Sequence, residues 1–423
     1  MNQIWYRLLV KTLGLDLDDP DGALMADTAF DRLIELGLIE TEANDVLRMH
    51  RLVARFVCDV AKEQVEATQK AVETVVFGET SKMNKQVYPL PLLTWQLHLR
   101  SVADIAKVRE DEESARLCNE LGKHLWQIGD FRSALPYAEK ALAIREKLLG
   151  PKHLDVAESL TLVGRIYRAL GKFADTKPWF ERALEIRRQQ LGENHESTAE
   201  SFEFLGLCYR DLGMFGEAHQ HLQQALTLYQ TVLGDQHELT AECHNNLAYC
   251  LFSMNKHNDA LYHLEHAAEI NEYAFGPEHP HVAVNYHNLG AVLHTMNQLD
   301  EAKSYIERAL TIRRSAYGDE HPDTLISLSR MGLILRDVGD LDQAKAAIEQ
   351  ALALYIDTLG EEHVATANCH SGIASVLHHQ DDIDLAIAHQ EQAYRVCRDI
   401  LGSEHQLTQK KLDYLNELYG LSR

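Results

Sequence analysis

Proline is scarce in this chain of 423 residues, at nine, and aromatic residues make up only 7%. So little proline leaves long helices uninterrupted and excludes collagen-like or proline-rich disordered chains. No apolar run approaches the ~18 residues of a membrane span, so no membrane partner is expected. Positive charge is in deficit, with 41 basic against 64 acidic residues and a formal charge of −23. Such a field repels phosphate backbones and makes nucleic acid an unfavourable partner. Met1 to Leu17 carries scattered charges and no small-residue cleavage site, so it does not read as a signal peptide. The seven cysteines are odd in number and include no CxxC pair. They read as reduced thiols packed in helices, which points to the cytoplasm.

Catalytic signatures are missing too. No GxxxxGK(S/T), GxSxG, HExxH or GxGxxG occurs, so neither an enzyme nor a cofactor is expected. The 23 histidines invite a metal site. Seven of them recur on separate units and cannot converge on one ion, and His279, His281 and His287 lack a zinc spacing. No metal is expected.

What is present is a repeat. Gly-x-x-His occurs at Gly150/His153, Gly192/His195, Gly234/His237, Gly276/His279, Gly318/His321, Gly360/His363 and Gly402/His405, always 42 residues apart. Small residues run in phase: Gly122, Gly164, Gly206, Ala248, Gly290, Gly332 and Ala374 hold one position, and Ala141, Ala183, Ala225, Ala267, Ala309, Ala351 and Ala393 another. Small residues at fixed points of two amphipathic segments let helices approach closely. Phe180, Leu222, Leu264, Ile306 and Ile348 fill between them. Each unit therefore reads as helix A, a short turn, a longer helix B and a loop. In the fifth unit the helices are expected at His281–Met296 and Leu299–Ala316. The loop glycine is expected to form a left-handed cap after helix B. Thr176 interrupts the ladder Ala134, Ala218, Ala260, and Pro136 and Pro178 fall inside helix B, where a local bend is expected.

This pattern resembles the tetratricopeptide repeat, whose Leu-Gly-x-x-Tyr motif is matched by Gly164 with Tyr167 and Gly206 with Tyr209. The period and the Leu-Gly-x-x-His-Pro loop resemble the kinesin-light-chain variety. The resemblance implies an all-α fold, a right-handed superhelical solenoid of seven units over residues 114–403, with a capping helix in 404–423 near Leu407–Tyr419.

Residues 1–62 do not follow the repeat. A helix over Asp27–Leu36, two short strands around Leu38-Ile39-Glu40 and Val46-Leu47-Arg48, and a helix Arg51–Lys62 follow the order of a small winged helix. Arg48-Met49-His50-Arg51 resembles the end of the winged helix in NB-ARC (STAND-type) signalling ATPases. There the matching histidine, His50 here, lies near ADP. Arg51 stands where that family has aspartate, and the phosphate loop is missing, so no nucleotide is expected to bind. Residues 63–113 read as connecting helices, Glu63–Phe77 and Leu92–Arg109, of a degenerate first repeat.

In tetratricopeptide arrays the A helices line a concave groove. The positions expected to face it are Asn119, Lys123, Trp126, Arg165, Arg168, Glu203, Arg210, Asn245, Phe252, His287, His294, Arg336 and His378. Arginine and aromatic side chains are common interface anchors, and asparagine pairs with the backbone of an extended peptide. A non-enzymatic scaffold or sensor that binds a protein or extended peptide is the reading these residues favour. The competing reading is an ordinary solvated stripe with no single ligand. Two rivals differ in class. One is a DNA-binding regulator using the winged helix, disfavoured by Asp31 and Glu35 on its second helix. The other is a peptide-pheromone receptor, in which a helix would replace the strands at 38–48.

Overall fold

A computed structural model describes residues 39–42, 46–49, 77–78, 80–81, 84 and 96–421. The chain divides into two compact units, Met1–Gly192 and Glu193–Arg423. In the first, strands β1 (Ile39–Glu42) and β2 (Val46–Met49) pair antiparallel with Ile39 opposite Met49. These are the two strands read from the sequence. The helices expected at Asp27–Leu36 and Arg51–Lys62, and His50 with them, lie outside the described residues.

Five helices follow in this unit: α1 (Gln96–Ala106), α2 (Glu112–Gln127), α3 (Phe131–Leu149), α4 (Leu154–Ala169) and α5 (Phe173–Leu191). Leu99, Ala103 and Ala106 of α1 are fully buried in one cluster with Leu117 and Leu121 of α2. The second unit holds α6 (Glu196–Asp211), α7 (Phe215–Val232), α8 (Glu238–Ser253), α9 (His257–Phe275), α10 (Pro280–Thr295) and α11 (Leu299–Tyr317). It ends with α12 (Pro322–Val338), α13 (Leu341–Leu359), α14 (Val364–His379), α15 (Ile383–Leu401) and α16 (Gln406–Leu421). From α2 onward, even-numbered helices are A and odd-numbered helices are B, and α16 stands alone on α15.

Two backbone devices recur, the first in all seven pairs and the second in six. Helix A ends in a Schellman motif. In the first copy the Gly129 N–H bonds the Trp126 carbonyl at 3.1 Å and the Asp130 N–H bonds that of Leu125 at 2.9 Å. The residue after each helix A has positive φ, and it is Gly129, Gly171, Gly213, Asn255, Asn297, Gly339 or Asp381. Only glycine, asparagine and aspartate enter that region at small cost, which explains the recurring residue types. The second device corrects the expected left-handed cap after helix B. Gly150, Gly192, Gly276, Gly318, Gly360 and Gly402 have φ of 85–87° as expected, but ψ of 159–177°. That is an extended conformation open almost solely to glycine, and it throws the chain away from helix B at once.

The loop histidine then starts the next helix. In all seven copies its Nδ1 accepts the backbone N–H two residues on, at 3.1–3.3 Å. Nδ1 stands as many bonds from the backbone as the Oδ1 of asparagine, so a neutral imidazole serves as an N-cap. The bond requires the tautomer with its proton on Nε2.

Helices α3 and α5 continue through Pro136 and Pro178. Each proline sits at the sixth helical residue, so the hydrogen bond lost lies close to the helix start. Thr176 occupies its alanine position by turning its hydroxyl onto the Lys172 carbonyl, 2.9 Å away.

Within each pair the small residue sets the spacing. A Cβ built on Gly290 would lie 2.6 Å from Ile306 Cγ1, well inside contact distance. Gly290→Leu should therefore destabilise the fold by about 1–3 kcal/mol through overpacking, read as a lower urea midpoint; an unchanged midpoint would contradict the close approach. For the caps, His237→Ala should cost about 1 kcal/mol and His237→Asn should recover most of it, as followed by thermal melting.

Candidate functional site along the A helices

The residues expected to face a ligand are mostly engaged within their own unit. In the first unit, Asn119 is buried and accepts from Ser159 Oγ at 3.4 Å. Lys123 is held between Glu120 at 2.9 Å and Glu158 at 2.6 Å, and Arg145 reaches the same Glu158 at 3.0 Å. The two cations hold the Glu158 carboxyl below its usual range against the opposing effect of burial. Arg165 lays its guanidinium 3.9 Å from the centre of the Trp126 ring. Arg168 is half-buried on the last turn of α4.

In the second unit, Glu203 is buried and accepts from Tyr229 Oη and Asn246 Nδ2, both at 2.9 Å. Burial, then the charge of Glu242, pushes its carboxyl well up. Arg210 bonds Asp211 at 3.0 Å and lies over the Tyr249 ring. Asn245 donates to the Ala241 carbonyl, and Phe252 packs on the His257 ring at 5.2 Å. His287 meets Ser327 Oγ at 3.3 Å, and His294 meets Asp337 at 2.6 Å. Arg336 takes Asp337 and Ser375 Oγ, both at 2.6 Å, and His378 reaches Tyr414 at 3.2 Å. Several of these side chains therefore bridge one A helix to the next.

An open cavity of about 820 Å³ lies among α12, α13, α14 and α16. Arg336 lines it as the sequence suggested. Arg330 and Lys411 line it too, and the sequence reading missed both. A signal was present. Counting two residues back from the small position, the fourth to sixth units and α16 carry Asn246, Asn288, Arg330 and Tyr414, whereas the seventh carries Gly372. Gly372 lines the cavity itself, with Ile348 and Leu333 nearest to where its Cβ would be. Five residues back, Ser159, Ser201, Cys243, Asn285, Ser327 and Cys369 precede a lysine, Lys411.

Two pairs of histidines join helix A to helix B within one repeat. The Nδ1 atoms of His244 and His263 are 2.8 Å apart, and those of His370 and His389 are 2.9 Å apart. One ring in each pair must carry its proton on Nδ1 and the other must not, so at least the accepting ring is neutral. Burial, then neighbouring histidines, pushes His244, His263 and His370 down to about 4; burial, then Arg313 and Arg330, takes His287 to about 3.

The tetratricopeptide repeat model matches residues 113–175, 164–231, 217–273, 244–315, 281–357 and 323–399. The chain belongs to the tetratricopeptide repeat family. It is similar in structure to the apo form of RapI, with 17% identity and a TM-score of 0.58, over 83% of this chain and 94% of that one. A Rap protein complexed with Competence and Sporulation Factor gives 14%, 0.52, 82% and 97% in the same order. The TPR-like repeats of a Podosopora anserina chain described as kinesin light chain give 23%, 0.44, 49% and 98%. At these identities the likeness carries the fold alone. No curated protein sequence matches. The family match starts at residue 113, and the winged helix read in residues 1–62, with its tie to NB-ARC proteins, finds no support in these comparisons. Among the described residues no helix is long and apolar enough to cross a membrane.

The depressed histidines set a pH dependence. Between about 6.5, the value in an unfolded chain, and about 4, the unfolded state binds more protons, so stability falls as pH drops through that window. Glu203 acts in the opposite direction, but four histidines outnumber it. The urea midpoint should therefore fall from pH 7 to pH 4.5. Replacing the pair by His370→Tyr with His389→Tyr, the residues found at 286 and 305, should make that fall shallower; an equal fall would remove the pair as its cause.

Proposed function

We propose that this chain is a non-catalytic recognition module that binds a polypeptide in extended form along its A helices. The observation carrying this reading is the open cavity on the A-helix row of α12, α14 and α16, lined by Arg336, Asn368, Ser371 and Tyr414. Polar side chains on rigid helices around an open, partly apolar cavity favour an extended backbone with side chains in pockets. Membership of a repeat family built on stacked helix pairs supports it, as does the Rap neighbour solved with Competence and Sporulation Factor. In this view Asn119, Lys123, Trp126, Arg165 and Arg168 in the first unit, and Glu203, Arg210, Asn245, Phe252, His287, His294, Arg336 and His378 in the second, serve two roles. They join neighbouring helices and present contact surface.

The strand pair at Ile39–Glu42 and Val46–Met49 supports reading residues 1–62 as a winged helix that relays binding, and it counts against the pheromone-receptor order. The charge of −23 counts against DNA as its partner.

The test is selection of displayed random peptides on the immobilised full chain, followed by affinity measurement in solution. Selected peptides should bind, and Arg336→Ala should weaken them about tenfold or more while circular dichroism stays unchanged. Enrichment no better than on heat-unfolded chain, or tight binding of duplex DNA at physiological salt, would sink the proposal.

A further inference from the structure

The cavity among α12, α13, α14 and α16 has a charge problem that nothing within it solves. Its wall of nineteen residues contains Arg330, Arg336 and Lys411 but no aspartate or glutamate, on a chain with 64 acidic residues. Arg336 is matched by Asp337. Among the described residues, Arg330 and Lys411 have no hydrogen bond or ion pair from their side chains. Both are half-buried. Burial is the main influence on each and holds both below the usual range for their type, with no carboxylate offsetting it.

A desolvated cation without a counter-charge is unfavourable by itself. In an open cavity such a pair is favourably completed by an anion that enters it. The remaining wall narrows the class of anion. Ile326 and Leu359 stand exposed at 47% and 41%, and Tyr355 and Val364 continue the apolar lining. A lone small anion would leave that apolar wall wet. Asn368 and Ser371 line the same space with side chains free of partners among the described residues, available to a peptide backbone.

We infer that this cavity is an acidic-peptide subsite, in which Arg330 and Lys411 together take the carboxylate of an aspartate or glutamate whose neighbouring apolar side chain rests on Ile326 and Leu359. The inference rests on the polypeptide-binding reading above and adds to it the chemistry of the ligand. Arg330 supplies a planar fork suited to a carboxylate, and Lys411 a point charge from α16. Gly372 contributes no side chain to the wall, where the preceding units carry Asn246, Asn288 and Arg330.

The experiment extends the peptide selection to Arg330→Gln and Lys411→Met beside the unaltered chain. Peptides selected on the unaltered chain should be enriched in aspartate or glutamate next to leucine, isoleucine or valine, and this enrichment should vanish on either variant. In solution, the best such peptide should bind about thirtyfold more tightly than its glutamine isostere, and each variant should abolish the difference. The melting midpoint of each variant without peptide should hold or rise, since an unpaired desolvated charge has been removed. Peptides selected without acidic preference would overturn the subsite and leave polypeptide binding standing, whereas failure to select any peptide would overturn both. Displacement of the labelled peptide by inorganic phosphate as effective as by unlabelled peptide would leave a small-anion site and overturn the peptide occupant. A lower midpoint in both variants would make the cations structural and overturn the assignment.

Discussion

At one point in four of the seven helix pairs, those of Gly164, Gly206, Gly290 and Gly332, the two backbones come closer than an ordinary side chain permits. Opposite Gly164, Gly206 and Gly290 stand Phe180, Leu222 and Ile306, each 2.6 Å from where a Cβ would be. The partners are almost completely buried, at 0–1% exposure, so they have little room to retreat. Once the backbones meet there, the turn between helices must be short. The left-handed residue of the Schellman motif supplies that turn, and the extended glycine with its histidine cap supplies the next reversal. The invariant 42-residue period is the consequence. An inserted residue would move the small position off the contact.

The junction from one pair to the next is polar where the pair itself is apolar. Arg145 donates to Ser159 Oγ at 2.8 Å, Arg313 to Ser327 Oγ at 2.6 Å, and Asn271 to Asn285 Oδ1 at 2.8 Å. At these three junctions a long donor on helix B is matched with a short acceptor on the following helix A, which helps to specify the stacking register. Tyr229 and Tyr355 depart from this pattern by bonding Glu203 and the Pro322 carbonyl in place of Cys243 and Cys369, and the last junction departs further. There the helix B position holds Cys397 and the following position Lys411, and a thiol cannot satisfy an ammonium group. Lys411 is consequently left to face the cavity, so the free cation there follows from where the stack ends.

Histidine shows how one residue type divides its labour. Seven rings cap helices through Nδ1, and others face one another inside a repeat, as His244 does His263. Each role needs an unprotonated Nδ1 as acceptor. Asn255, Asn297 and Asp381 likewise stand in for glycine in the turns at positive φ of 59–61°.

Much of the fold was legible in the residues. The ladder of Gly-x-x-His and the small positions placed α10 and α11 within a residue or so at each end, because a helix pair with backbone contact tolerates few alternatives. The strand pair beside Glu42–Asp45 was legible from its turn chemistry. The ψ angle of the loop glycines was not, since glycine is compatible with both a left-handed cap and the extended form. The site was legible only in outline. Position in the repeat placed Arg336 and His378 on the A helices, but Lys123, Glu203 and His294 turned out to be bonded to neighbours, and Arg330 and Lys411 went unnoticed. Whether a side chain is satisfied depends on residues 26–43 positions away, which no local pattern reports. The sequence by itself thus determined the repeat, its helices and the short turns between them, because these rest on short-range sterics. Only the tertiary structure decided which charges are neutralised and which are left open, because that is settled by contacts between successive repeats.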